Sequence, residues 1–169
     1  MSVFYPDYTF RRIYTIPTSF FKERGISALL IDVDNTLTTD NNPVPHAEVL
    51  DWLAAQRDAG LRLMAFSNNR EERVEPFARQ LGLEYIANAA KPLPAKVSRA
   101  LKKMGILKSE AAIIGDQLFT DILCGRLVGC TAILVEPMEW ERYGFFKLKR
   151  PLEEKILRRY RARRGGESP

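Results

Sequence analysis

A chain of 169 residues is the length of one ordinary domain, enough to bury a core and too short for two independent ones. Its 46% hydrophobic and 28% charged residues fit a globular protein, and its longest apolar run, residues 26–31 with Ser27 inside it, is too short to span a bilayer, so only peripheral membrane contact is expected. The net charge of +5 is local in origin: residues 142–164 hold ten Lys or Arg against two Glu, a surplus of +8 that leaves −3 on the rest.

The N-terminus, with Tyr, Pro, Asp and Arg where an export signal needs an unbroken apolar segment, predicts an intracellular, cytoplasmic protein. From there a short apolar run followed by an amphipathic stretch repeats along the chain, the pattern of parallel strands joined by helical crossovers. Ala28-Leu29-Leu30-Ile31 predicts a buried strand. Pro45 opens a helix to about Ala59, with Val49, Leu50, Leu53 and Ala54 on one face and Gly60 as its stop. Residues 61–66 form the second strand, 71–81 the next helix, 84–87 a short third strand and 94–104 a helix closed by Gly105. Residues 111–114 give a fourth strand, 118–127 a helix and 131–135 a fifth strand. Cys124 and Cys130 have no Cys or His cluster beside them and read as buried thiols. His46, next to a helix start, reads as a surface or cap residue.

Polar signals follow these strands directly: Asp32-Val33-Asp34-Asn35-Thr36, Ser67-Asn68-Asn69, Lys91-Pro92, and Gly115-Asp116 with Asp121. In a parallel sheet such positions share one edge, where the sites of open α/β folds assemble. Two carboxylates one residue apart, with a third acid after another strand, make a hard oxygen site suited to Mg2+. Lys91 adds a fixed positive charge and the Ser67 hydroxyl can donate to a phosphoryl oxygen. A carboxylate in this setting can attack phosphorus while its neighbour serves as acid and base.

The motifs DVDNT, FSNN, KP and GDQLFTD, in this order, resemble those of haloacid dehalogenase (HAD) superfamily phosphatases, subfamily IIIA. The wider pattern DVDNTL, GDQLFTDILCGRLVG and TAILVEP is similar to the YqeG family, which includes phosphatidylglycerophosphate phosphatases. The resemblance implies a Rossmann-like three-layer α/β core with a mainly parallel five-stranded sheet, and Mg2+-dependent hydrolysis of a phosphate monoester through an aspartyl-phosphate. It makes Asp32 the nucleophile and Asp34 the acid/base that also gives a backbone carbonyl to the metal. Ser67 becomes the phosphate-binding hydroxyl, Lys91 the charge-orienting lysine, Asp116 a metal carboxylate, and Asp121 a second acid serving as outer-shell ligand or lysine partner; Asn68, beside Ser67, reads equally as a substrate-binding residue or a cap of the following helix.

The short spacing between motifs leaves no room for a large cap, so an open site is expected. The expected organisation is an N-terminal extension (1–25), a phosphatase core (26–140) and a basic helix and tail (141–169). In that tail Leu152, Ile156, Leu157 and Tyr160 share a helical face, with Lys155, Arg158, Arg159, Arg161, Arg163 and Arg164 as positive charge and Phe145 and Phe146 nearby. This suits an anionic membrane surface at the inner face of the membrane, or equally a helix packed on the core with a solvated basic end. No nucleic-acid fold motif is present. The substrate readings are phosphatidylglycerophosphate or a soluble phosphate monoester, and a scaffold that kept the fold is the non-catalytic alternative.

Overall fold

The computed structural model describes residues 2–139 and 146–163, with the side chains of 146–150 and 163 left aside. Phe145 and Arg164, and the side chains of Phe146 and Arg163, lie outside the described residues. The elements in chain order are β1 (Tyr8–Phe10), α1 (Thr18–Glu23), β2 (Ala28–Ile31), α2 (Ala47–Asp58), β3 (Arg62–Phe66), α3 (Glu71–Gln80), β4 (Glu84–Ile86), α4 (Ala95–Met104), β5 (Ala111–Gly115), α5 (Leu123–Val128), β6 (Thr131–Val135) and α6 (Phe146–Arg163). The strands form a six-stranded sheet in the order β1-β6-β5-β2-β3-β4, with every pairing parallel.

Alternation along β2 shows why the sheet sits between two helical layers. Leu29 and Ile31 join one buried cluster with Phe21, Val49, Trp52 and Phe77 from α1, α2 and α3. Ala28 and Leu30 join the other, with Val97, Leu101, Cys124 and Val128 from α4 and α5. A strand covered on both faces must be apolar at every position, which is how β2 reads. Cys124 and Cys130 are buried free thiols, and burial, their largest influence, pushes their pKa values up to about 11 and about 12.

The sixth strand, β1, is absent from the five-strand expectation. It pairs Tyr8, Thr9 and Phe10 with Ile133, Leu134 and Val135 of β6, and its aromatic rings pack edge-on against Phe20, 4.8 and 5.1 Å between centroids. Asp7 anchors this edge by accepting the N–H of Ala132 at 2.8 Å and pairing with Arg126. The buried face of α2 also departs from expectation. Trp52, with its indole N–H donating to the Ile16 carbonyl at 2.7 Å, joins Val49 and Leu53 inside, while Leu50 and Ala54 are exposed. The end of α4 behaves as read: Gly105 takes a left-handed φ of 68°, a conformation that costs a residue with a Cβ more.

Helix α6 covers the β6 side through Ile156 and Leu157, which pack on Leu118, Ile122, Ala132 and Leu134. The inward stripe is Glu153, Ile156, Leu157 and Tyr160, and Leu152 instead points outward at 52% exposure. Glu153 holds its buried place by accepting the N–H of Leu118 at 3.1 Å. Lys155, Arg158, Arg159 and Arg161 are exposed. Among the described residues no helix is long and apolar enough to cross a membrane.

Candidate active site

The sheet order reverses between β2 and β5, because the chain runs outward from β2 through β3 to β4 and then crosses back to β5 and β6. Crevices at such reversals, beyond the carboxyl ends of the strands, are where open α/β sheets place ligands. Asp32 directly follows β2, with its N–H bonded to the Ile114 carbonyl of β5 at 2.9 Å, and Asp116 directly follows β5. Asp121 sits on a π-helical turn, Leu118–Ile122, that leads into α5. The loops after β3 and β4 are zipped together, Ala89 N–H to the Ser67 carbonyl at 2.9 Å and Asn88 N–H to the Asn69 carbonyl at 2.8 Å. That pairing carries Lys91 to the crevice.

Lys91 is the hub. Its Nζ lies 2.7 Å from Asp32 Oδ1 and 2.6 Å from Asp121 Oδ1, and also donates to the Phe66 carbonyl at 3.1 Å. Burial opposes its charge, yet the carboxylates of Asp121 and Asp32 outweigh that and raise its pKa. Lys91 is therefore a fixed cation. Burial pushes the Asp32 carboxyl up to about 7 against the pull of Lys91, and repulsion from Asp121 adds to the rise.

Asp32, Asp116 and Asp121, all buried, each place a carboxylate oxygen within 4.8 Å of the others. Three carboxylates against one lysine leave a formal charge of −2 in a pocket of hard oxygen donors, the complement of one divalent cation. The donor set thus fits a divalent metal. Asp121 spends Oδ1 on Lys91 and Oδ2 on the N–H of Gln117 at 3.1 Å, the arrangement of a lysine partner.

The carboxylate of Asp34 stands outside this triad. It is clamped by Arg73 Nη2 at 2.9 Å, Asn69 Nδ2 at 2.8 Å and the N–H of Asn41 at 3.1 Å. Arg73 also donates to the Asn42 carbonyl at 2.9 Å, so it ties the loop after β2 to α3. Ser67 is buried at the end of β3 and its Oγ accepts the Asn69 N–H at 3.1 Å. Asn68, expected to bind substrate, directs its amide to the main chain of Lys91, accepting its N–H at 2.7 Å and donating to its carbonyl at 3.2 Å. A side-chain amide is well suited to this two-way bridge. Asn68 thus positions the lysine.

Three participants were not singled out from the sequence: Arg73, Asn69 as a partner of Asp34, and Gly115. A Cβ on Gly115 would lie 2.3 Å from Asp121 Cγ, so the glycine provides the space in which Asp121 meets Lys91. The GD pair before the π-helical turn was its available signal. Nothing in the run Arg70-Glu71-Glu72-Arg73 tells which arginine turns inward.

Residues 42–129 match the model of the haloacid dehalogenase-like hydrolases. The chain is 33% identical over 154 residues, covering 91% of itself and 90% of the relative, to the "Probable phosphatase YqeG" of Bacillus subtilis. It is also 22% identical to the chloroplastic/mitochondrial phosphatidylglycerophosphate phosphatase 1 of Arabidopsis thaliana, over 92% of this chain and 47% of that one. In fold it is similar to an uncharacterized protein from Listeria monocytogenes, with a TM-score of 0.58, 19% identity, and coverage of 70% of this chain and 85% of that one. The chain belongs to the haloacid dehalogenase-like hydrolases and is a phosphatase of that family.

Proposed function

We propose that the protein is a Mg2+-dependent phosphate-monoester hydrolase acting through an aspartyl-phosphate on Asp32, with phosphatidylglycerophosphate as its substrate. The observation that carries the reading is the meeting of Asp32, Lys91, Asp116 and Asp121 in one buried cluster at the sheet reversal.

Asp32, Asp116 and a backbone carbonyl of Asp34 would hold the metal, with Asp121 behind them, and the bound ion would offset repulsion between the anionic nucleophile and the phosphate. The chain's own residues supply the rest. A free oxygen of the Asp32 carboxylate attacks phosphorus, the bond from phosphorus to the leaving oxygen breaks, and Asp34 delivers a proton to the departing alcohol. Asp34 then takes a proton from water, which attacks the same phosphorus, releasing inorganic phosphate and restoring Asp32. Lys91 keeps Asp32 aimed while its charge balances the phosphoryl oxygens, and Ser67 donates its hydroxyl to one of them. Arg73 and Asn69 fix the carboxylate that moves the protons.

Support for the lipid comes from the activity for which the Arabidopsis relative is named and from the exposed Lys155, Arg158, Arg159 and Arg161 on α6, a surface suited to anionic lipid at the inner face of the membrane. In this reading residues 26–140 are the phosphatase core, and residues 1–25 and 141–169 adapt it to its substrate. The test is phosphate release from phosphatidylglycerophosphate in mixed micelles beside a panel of sugar, nucleotide and phosphopeptide monoesters, with and without Mg2+. Preference for the lipid supports the reading, and preference for a soluble ester overturns its substrate.

A further inference from the structure

We infer that Glu153 of α6 is a positioning residue of the catalytic centre: its carboxylate sets the π-helical turn that aims Asp121 at Lys91 and fixes Asp116 at the head of that turn. This role rests on the reading of the Asp32 cluster as the phosphatase centre.

Five charged side chains are buried among the described residues: Asp32, Lys91, Asp116, Asp121 and Glu153. The first four make up the cluster at the sheet reversal. Glu153 comes from outside the motifs, on a helix that needs no carboxylate to cover its apolar patch. Ile156 and Leu157 already pack on Leu118, Ile122, Ala132 and Leu134, and Leu152, one residue away, is turned outward. A carboxylate is costly to bury unless its oxygens are bonded. What Glu153 brings that a leucine would not is an acceptor.

That acceptor meets a specific need. Gln117 is extended, with φ −117° and ψ 127°, and the chain then turns at once into Leu118–Ile122. The first amides of a helical turn have no carbonyl behind them to bond. Here the two at the junction are each met by a carboxylate, the Gln117 N–H by Asp121 Oδ2 at 3.1 Å and the Leu118 N–H by Glu153 Oε1 at 3.1 Å. Asp121 holds the turn from within while its other oxygen binds Lys91 at 2.6 Å, and Glu153 holds it from outside. The turn has little room to shift, because Asp121 Cγ lies 2.3 Å from where a Cβ on Gly115 would stand. Asp116 sits between that glycine and Gln117, so the same two bonds fix it. The N-terminal segment closes the unit: the rings of Phe4 and Phe119, on the turn, and of Tyr5 and Tyr160, on α6, each pack with 5.5 Å between centroids.

The test uses the full chain and compares Glu153→Leu, Glu153→Asp and Glu153→Gln by Mg2+ calorimetry, p-nitrophenyl phosphate kinetics and urea denaturation. Glu153→Leu removes the acceptor and Glu153→Asp withdraws it from the Leu118 N–H by one methylene. Both should weaken Mg2+ binding and lower kcat by about tenfold, the lower end of the effect of partners that act from behind metal ligands, with KM changed less. Glu153→Gln keeps an oxygen that accepts the same N–H and should restore most of both. Leu53→Ala, buried on α2 in the opposite helical layer, separates positioning from stability: it should lower the urea midpoint and keep wild-type Mg2+ affinity and kcat. If Glu153→Leu does not fold, the Asp and Gln variants decide. Wild-type Mg2+ affinity and kcat in folded Glu153→Asp, or a loss in Glu153→Gln as large as in Glu153→Asp, would overturn this role for Glu153 alone. If the wild type binds Mg2+ and hydrolyses no ester, the catalytic reading fails and the titrations still decide: affinity weakened by Asp and restored by Gln upholds the role, and equal affinities reject it. A wild-type protein that binds no Mg2+ would overturn both.

Discussion

Replacing Gly115 with alanine should do more damage than the same change at any other glycine among the described residues. The new Cβ would lie 2.3 Å from Cγ and 2.4 Å from Oδ2 of Asp121, where carbon contacts settle at about 3.5–4.0 Å. Asp121 is fully buried and cannot withdraw without releasing Lys91 Nζ at 2.6 Å and the Gln117 N–H at 3.1 Å. Overpacking alone costs about 1–3 kcal/mol, and separating a buried ion pair about 3–5 kcal/mol. We expect the larger range, a substantial part of the 5–15 kcal/mol that holds a typical domain together. Urea denaturation reads the loss, and phosphate release reads the accompanying fall in turnover as Lys91 loses one of its two carboxylate partners. Gly125→Ala is the comparator: its Cβ would meet Ala132 Cβ at 3.1 Å, a tight contact that breaks no polar bond, for about 1–3 kcal/mol. In an Asp121→Gly background the Gly115→Ala change should cost less, since the Cβ, Cγ and Oδ2 of Asp121 that it would meet are all gone. A Gly115→Ala protein with wild-type urea midpoint and turnover would refute this account of the Asp121 pocket.

Asp34→Asn should slow turnover by roughly 10²–10⁴-fold, and Arg73→Ala, which removes a 2.9 Å clamp on that carboxylate, should lower kcat more than it raises KM; an effect confined to KM would argue against positioning. Asp116→Ala should weaken Mg2+ binding in calorimetry more than Asp121→Ala, because both oxygens of Asp121 are engaged by Lys91 and Gln117; the reverse order would reassign the metal ligands. Lys155→Gln with Arg159→Gln, exposed on α6, should reduce cosedimentation with anionic vesicles at low salt by about fivefold per charge, from about 1 kcal/mol each, while p-nitrophenyl phosphate turnover is retained. Unchanged vesicle binding would remove α6 from membrane attachment.

The parts of this fold that were legible in the sequence are those in which one segment carries its own reason. The run Ala28–Ile31 announces a strand covered on both faces, and the acids after β2 and β5 announce a shared edge once parallel crossovers are accepted. What escaped depends on partners far away in the chain. Tyr8-Thr9-Phe10 is too short to signal a strand and becomes one through β6 and Phe20. On α6 the inward stripe contains Glu153 rather than Leu152, because a buried N–H at Leu118 makes a carboxylate worth burying. The bridge from the Asn68 amide to the Lys91 main chain is equally hidden, because it needs the return of the chain after β4. The position of Asp32 and Asp34 directly after β2 was legible as a pattern, whereas the clamp on Asp34 needed α3 in place to bring Arg73 within reach.

The central claim, that Asp32 carries the phosphoryl group, is tested most directly by trapping it. The wild-type protein, mixed with Mg2+ and p-nitrophenyl phosphate and quenched in borohydride, would have any aspartyl-phosphate reduced to homoserine and located by peptide mass spectrometry. We predict homoserine at position 32 and nowhere else, dependent on substrate, and no turnover by a folded Asp32→Asn protein. Full-rate turnover by Asp32→Asn, or homoserine at another aspartate in place of position 32, would contradict the account.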